Sequence, residues 1–274
     1  MTADSAELSI MPTSEPVGDT VLVEDRGNVR WLTINRDDVR NALNDDVLNK
    51  LTAGIEGARQ ASDLRAIVLT GAGRRAFCAG GDLKPGSKTF GFDHSVPTTS
   101  LGNLLRAANG CDLPLIARVN GHCMAGGIGL LAMCDMAVAS DQALFGLPEV
   151  KIGMFPMQVS ALLQNMISPR KFAELCLTGE PVDAQEALSI GLINYITPYD
   201  ALDAKVEWLL GRVVNKSPTA IRRGKHALRA TRNMTTEQAI AFMESQLATL
   251  SLTEDSREGI ASFNEKRPPD WTGR

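Results

Sequence analysis

The sequence predicts an α/β fold, a mostly parallel sheet with right-handed crossovers followed by a helical C-terminal region. Three observations predict it. Short apolar runs alternate with helix-spaced segments from about residue 20 to about residue 150, as strand–helix–strand crossovers require. Two glycine-rich turns, Cys78-Ala79-Gly80-Gly81-Asp82 and Ala125-Gly126-Gly127-Ile128-Gly129, each come shortly after such a run, at 66–70 and 115–119. Beyond about residue 205 no strand signal remains.

Residues 1–19 are rich in Ser, Thr, Ala, Glu and Pro without periodicity, which predicts a mobile tail. Val21-Leu22-Val23 and Val29-Arg30-Trp31-Leu32-Thr33-Ile34 flank the turn signal Asp25-Arg26-Gly27-Asn28 and read as a hairpin. Val47, Leu48, Leu51, Ile55 and Ala58 recur at helical spacing, so a helix is expected over 44–61 with Asn44 as its cap. A strand over 66–70 follows. Residues 84–100 mix Pro, Gly, Ser, Thr and Phe without a period, the composition of a flexible loop placed as a lid or pocket wall. Then come a strand over 114–119, the second glycine turn, a helix over 127–134, and strands over 136–139 and 143–146. From 157 onward the pattern reads as helical, broken at Pro169, Gly179-Glu180-Pro181, Gly191, Pro198 and Ser217-Pro218. Ala227, Leu228, Ile240, Phe242, Met243 and Leu247 supply apolar faces that a solvated appendage does not need, so this region is expected to dock on the core or on another subunit. The organisation expected is a tail (1–19), a core (20–204) and a helical oligomerisation region (205–274).

Composition narrows the function classes. With 274 residues, 44% hydrophobic content and a net charge of −4, the chain suits a soluble protein with a substantial core. Its charge argues against a nucleic-acid binder, which relies on phosphate neutralisation, but leaves room for a small phosphorylated ligand beside a local basic cluster. Cys78, Cys111, Cys123, Cys134 and Cys176 show no CxxC pairing and fall in or beside apolar runs, which predicts buried free thiols in a reducing compartment. No apolar run reaches membrane-spanning length, and no basic-then-apolar leader opens the chain. A cytoplasmic protein acting at no membrane is expected.

The chemistry-bearing candidates are few. Glycine lets backbone approach backbone or ligand closely, and a helix N-terminus leaves N–H groups without partners. Either glycine turn alone would serve tight packing; two together can aim two N–H donors at one developing oxyanion. Gly127-Ile128-Gly129-Leu130-Leu131-Ala132 matches a dinucleotide fingerprint, with Glu149 downstream. Against that reading, the glycines begin well after the strand ends, and Glu149 follows Leu147-Pro148 rather than a second apolar strand. The three histidines are scattered, His122 reading as a hydrogen-bonded core residue, and no metal site is expected. What remains is Glu149 in Phe145-Gly146-Leu147-Pro148-Glu149-Val150, an apolar setting that would raise its pKa toward a range useful for proton transfer.

At this point the residues form a family pattern. Ile34-Asn35-Arg36 with Asn41-Ala42-Leu43, Val68-Leu69-Thr70-Gly71-Ala72-Gly73, and Ala76-Phe77-Cys78-Ala79-Gly80-Gly81-Asp82-Leu83-Lys84 lead into Asn120-Gly121-His122, the second glycine turn and Cys134-Asp135. Phe145-Gly146-Leu147-Pro148-Glu149, Leu177-Thr178-Gly179, Ala184-Gln185-Glu186-Ala187-Leu188, Gly191-Leu192-Ile193-Asn194 and a stretch from Glu254-Asp255 through Phe263-Asn264-Glu265-Lys266-Arg267-Pro268 continue it. In these segments the chain closely resembles the crotonase family of enoyl-CoA hydratases and isomerases.

The resemblance implies a spiral of ββα units, a C-terminal helical trimerisation region, and a homotrimer or dimer of trimers. It also implies an acyl-CoA thioester as substrate, with no cofactor beyond the CoA it carries. By position, the backbone N–H groups of Gly81 and Gly126 would form the oxyanion hole and Glu149 would be a catalytic acid/base. CoA would rest near Ala42, Ala79, Gly81, Asp82 and Leu83, with Lys84, Arg36 and Lys266 as phosphate candidates. Phe263 and Lys266 match positions that reach a neighbouring subunit's CoA. Two departures stand out. The family's second glutamate falls on Gly129, which has no side chain, so both hydration of a 2-enoyl-CoA and a Δ3-to-Δ2 double-bond shift by a single Glu stay open. A thioester-binding oligomer without turnover is the reading of another class. Gly153-Met154-Phe155-Pro156-Met157-Gln158-Val159 replaces a glycine-rich segment, with Met157 and Gln158 as candidate acyl-pocket linings and Met154 and Phe155 expected to pack in the core.

Overall fold

The computed structural model describes residues 18–84 and 93–274, so most of the predicted tail and the middle of the predicted 84–100 loop lie outside the described residues. The first element among the described residues is the expected hairpin, β1 (Val21–Arg26) antiparallel to β2 (Val29–Ile34). In α1 (Asp45–Gln60) the Asn44 side chain accepts the Val47 N–H at 3.0 Å, and the predicted face of Val47, Leu48, Leu51, Ile55 and Ala58 is buried. A two-strands-then-helix unit then recurs. The first is β3 (Ala66–Gly71), β4 (Ala76–Cys78) and α2 (Ser100–Asn109). The second is β5 (Leu115–Val119), β6 (His122–Met124) and α3 (Gly126–Ala132). The third is β7 (Met136–Ser140), β8 (Leu144–Gly146), a 3-10 turn (Pro148–Ile152) and α4 (Met157–Leu163). After them come α5 (Pro169–Thr178), β9 (Val182–Asp183), α6 (Ala184–Ser189), β10 (Tyr195–Thr197) and α7 (Leu202–Leu210). The C-terminal helices are α8 (Pro218–Ala230), α9 (Thr236–Leu250) and α10 (Glu254–Glu265).

Each unit sends its first strand to one sheet and its second to another. The larger sheet has the order β1-β2-β3-β5-β7-β10, parallel apart from the hairpin. The smaller has the order β4-β6-β8-β9, parallel through β4, β6 and β8 and antiparallel at β9. This is the ββα spiral that the family resemblance implied. The main core, with Leu32, Ile34, Phe77, Ile128 and Phe145, includes residues of both sheets and of α1 to α3, while Trp31, Val68, Ile116 and Val138 are covered by Leu202, Val206, Leu209 and Leu210 of α7. Burial on both faces explains why β3 and β5 read as mostly apolar runs, the one charge in β5, Arg118, being paired with Asp203. α7 runs across position 204/205 and belongs to this layer. α8 is tied down through Lys225 to Asp135 and Arg229 to Asp112. α9 has no buried residue.

Several expectations are corrected. α2 starts where the predicted loop ends, in a stretch for which the sequence predicts no element: Thr99 caps it, and Leu104, Leu105, Ala107 and Ala108 form its buried face. β9 and β10 interrupt the stretch read as helical, being two and three residues long, too short to show a period. Met154 and Phe155 are exposed rather than packed in the core, because the left-handed Gly153 (φ 77°) ends the 3-10 turn and carries the chain outward. His122 is exposed on β6, its Nδ1 accepting the Leu144 N–H at 3.2 Å. All five cysteines are buried and unpaired, and burial pushes the Cys78 thiol up to about 12.

Candidate active site

Parallel strands end on the same side, and β4, β6 and β8 are neighbours in one sheet. Their C-terminal ends therefore deliver three chain segments to one edge: Ala79-Gly80-Gly81 after Cys78, Ala125-Gly126 after Met124, and Leu147-Pro148-Glu149 after Gly146. The carboxyl edge of parallel strands is where α/β folds commonly build sites. The register fixes the last two against each other, since Met124 stands opposite Gly146 and the Ala125 N–H donates to the Gly146 carbonyl at 2.9 Å.

The first turn is strapped to the β2–α1 connection. Ala79 N–H donates to Arg40 O at 3.1 Å, Leu43 N–H to Gly80 O at 2.7 Å, and Asp82 N–H to Leu43 O at 2.8 Å. Across a trans peptide the C=O and N–H point in opposite directions. Holding the Gly80 carbonyl on Leu43 thus turns the Gly81 N–H away from the Leu43 backbone. Gly126 opens α3, where the first N–H groups have no intrahelical acceptor. Among the described residues neither the Gly81 nor the Gly126 N–H has an acceptor. The two turns also touch: a Cβ on Gly126 would lie 4.0 Å from the Gly81 nitrogen. Glycine is needed at Gly80, with φ 96°, where a Cβ would come within 2.6 Å of the Ala125 methyl. It is needed again at Gly127, where a Cβ would meet the Cys78 carbonyl at 2.6 Å. Ala125 itself, at φ 51° and ψ −121°, is a strained residue of the kind found where a site over-determines the backbone.

Glu149 sits half-buried in the 3-10 turn that begins at Pro148. Its Oε2 is buried without a hydrogen-bond partner among the described residues. Burial raises its pKa above the ordinary 4.5, partly offset by a hydrogen bond from its own backbone N–H. This is the desolvated carboxylate expected from the sequence. Gly129 lies on α3, and a Cβ there would come 3.1 Å from Cγ2 of Val159, which is 3% exposed. The space that a side chain at 129 would need is filled from α4.

The structure brings Gly81, Gly126 and Glu149 to one edge, with Ala79 and Gly81 half-buried in the turn and Leu83 and Lys84 exposed just after it. Ala42 and Asp82 are buried there. Arg36 is corrected: it is no free phosphate ligand but is buried, Nη1 donating to Ala42 O at 2.6 Å and Nη2 to Asp82 at 2.9 Å. Met157 is 72% exposed, and Val159, two residues on and thus on another side of the helix, faces Gly129. Gln158 hydrogen-bonds the Thr99 hydroxyl, joining α4 to the cap of α2. Phe263 is 83% exposed and lines a cavity of about 550 Å³ with Ser217, Ile260 and Trp271, none of them residues of the glycine turns. Lys266, left-handed at φ 54°, ends α10. Sequence reasoning passed over Val159 and the buried amides of Asn41 and Asn120. Their partners lie far away in sequence, so only the fold shows what they touch.

Comparison with known proteins follows the same outline. The family model described as enoyl-CoA hydratase/isomerase matches residues 24–274. A 2,3-dehydroadipyl-CoA hydratase of Escherichia coli is 34% identical over 256 residues, covering 93% of this chain and 99% of the relative. The solved enoyl-CoA hydratase of Mycobacterium tuberculosis superposes with a TM-score of 0.85 at 30% identity, covering 94% of this chain and 100% of that one. An enoyl-CoA hydratase structure from Bacillus anthracis gives a TM-score of 0.86 at 26% identity, covering 93% and 100%.

Proposed function

This chain belongs to the enoyl-CoA hydratase/isomerase family, and from that premise we propose that it binds an acyl-CoA thioester and adds water to a 2-enoyl-CoA. The observation that carries the reading is the common edge at which two unpaired N–H donors and one desolvated carboxylate emerge from three parallel strands. The thioester oxygen accepts from Gly81 and Gly126. Donors fixed before reaction stabilise charge as it develops there, and removing one such donor costs on the order of 10²–10³ in rate. Glu149, its pKa raised by burial, takes a proton from water as the oxygen attacks the β-carbon, and the enolate oxygen stays on the two N–H groups. The protonated Glu149 then returns that proton to the α-carbon, so one carboxylate completes the addition.

A second reading, migration of a double bond from the 3- to the 2-position, is favoured by Gly129 and Val159, which leave an apolar wall where another carboxylate would stand. There Glu149 carries a proton from the α- to the γ-carbon. Absorbance separates the readings. Loss of the conjugated band of a short 2-enoyl-CoA reports hydration, and its growth from a 3-enoyl-CoA reports isomerisation. Silence with both, alongside binding of the CoA ester, would overturn both in favour of a non-catalytic binding protein.

Lys84, exposed beside the first turn, is the phosphate ligand of this reading. The exposed Ile240, Leu247, Ile260 and Phe263 on α9 and α10 support a homotrimer or dimer of trimers, in which Phe263 and Lys266 would reach a neighbour's CoA. Five buried unpaired thiols support the cytoplasm as its compartment.

A further inference from the structure

We infer that Arg36 is a positioning residue for the thioester oxygen, acting on the Gly81 N–H through two peptide units in series. This role presupposes that Gly81 and Gly126 hold the oxyanion. The Arg36 side chain is 10% exposed and that of its partner Asp82 8%. Its Nη1 donates to the Ala42 carbonyl at 2.6 Å. That carbonyl shares a peptide with the Leu43 N–H, which donates to the Gly80 carbonyl at 2.7 Å. The Gly80 carbonyl shares the next peptide with the Gly81 N–H. A guanidinium charge thus heads a chain of two aligned peptide dipoles whose free end is the donor in the site.

The chain is held on every side. The Arg36 N–H donates to Asn41 Oδ1 at 3.1 Å, and the fully buried Asn41 donates to Ala76 O at 2.7 Å and Ala72 O at 2.9 Å. Asp82, the residue after Gly81, takes Arg36 Nη2 at 2.9 Å and gives its own N–H to Leu43 O at 2.8 Å. The guanidinium therefore braces both peptides flanking Gly81 through the Ala42–Leu43 segment they pair with. In a water-excluded setting each hydrogen bond polarises the next, by roughly 10–30% per bond. A buried ion pair is a weak source of stability by itself. At the head of this relay it strengthens and aims one donor.

The test binds a saturated acyl-CoA, which cannot react by either route, and records its thioester carbonyl stretch by isotope-edited infrared difference spectroscopy. Wild type, Arg36→Lys and the charge-free pair Arg36→Gln with Asp82→Asn are compared, each first shown to be folded by circular dichroism. The expected result is a band lowered in frequency in wild type, shifted less in Arg36→Lys and least in the double variant. kcat should fall by about three- to tenfold in the double variant and less in Arg36→Lys, with KM held within about twofold, because one donor is weakened rather than removed. A folded double variant with the wild-type band and wild-type kcat would overturn the role. So would a rise in KM with an unmoved band, which would make Arg36 a binding residue, or failure of both variants to fold, which would make the pair purely structural. If wild type itself binds the thioester without lowering the band, the oxyanion reading fails first and takes this role with it.

Discussion

Gly129→Glu tests whether Val159 closes the space into which a side chain at 129 would grow. A Cβ at 129 would lie 3.1 Å from Val159 Cγ2 and 3.9 Å from Val159 Cβ, and Val159, at 3% exposure, has no solvent to swing into. Forcing a larger side chain into such a place costs about 1–3 kcal/mol. Replacing a helical glycine offsets up to about 1 kcal/mol of that. The single variant should therefore lose roughly 0–2 kcal/mol in urea unfolding and gain no share of hydration over isomerisation. Val159→Ala removes the methyl groups in the way, so in the double variant the two changes should couple favourably by about 1–2 kcal/mol. With room for the new carboxylate, the hydration share should then rise. A single Gly129→Glu variant of wild-type stability and raised hydration share would refute the reasoning, because Val159 would not be what occupies the space.

Other outcomes follow from individual residues. Glu149→Gln should be more stable than wild type at pH 7. Burial raises the folded-state pKa of Glu149 above 4.5, so the folded state binds the extra proton and wild-type stability falls as pH rises from about that value through the raised one. The stability difference between the two proteins should vanish at acid pH, below the ordinary carboxylate value, as thermal melts across pH would show. Asp255→Ala should cost about 2–3 kcal/mol, since this buried carboxylate accepts the Ser217 hydroxyl and the N–H groups of Thr219, Thr272 and Gly273; hydrogen exchange should show the C-terminal residues losing protection first. Light scattering should give a trimer or a dimer of trimers at micromolar concentration, and Leu247→Glu, on the unburied helix α9, should shift it toward smaller species.

How legible this protein was depends on how local each signal is. Asn44 and the α1 face could be read because cap and period are written in adjacent residues. β3 and β5 could be read because both faces are buried and the runs are mostly apolar. β9 and β10 could not, since two or three residues show no period. The same divide runs through the site. Gly81, Gly126 and Glu149 announce themselves by glycine turns and by a carboxylate in an apolar segment. Arg36 misled: a cationic residue beside a site motif looks like a phosphate ligand until Asp82, forty-six positions away in sequence, is seen to hold it. Val159 was invisible for the same reason, because its meeting with Gly129 is made by the packing of α3 and α4.

The central claim is that Glu149 moves the proton while Gly81 and Gly126 hold the thioester oxygen, so turnover and binding should separate at residue 149. The direct measurement is the rate of loss of conjugated absorbance from a 2-enoyl-CoA by wild type and Glu149→Gln, beside the Kd of each for the same ester's saturated analogue. The account predicts a rate lower by about 10²–10⁴ in the variant, as expected for removal of a general base, with Kd changed by less than about threefold. Equal rates in the two proteins, or a rate loss matched by an equal loss of affinity, would contradict it.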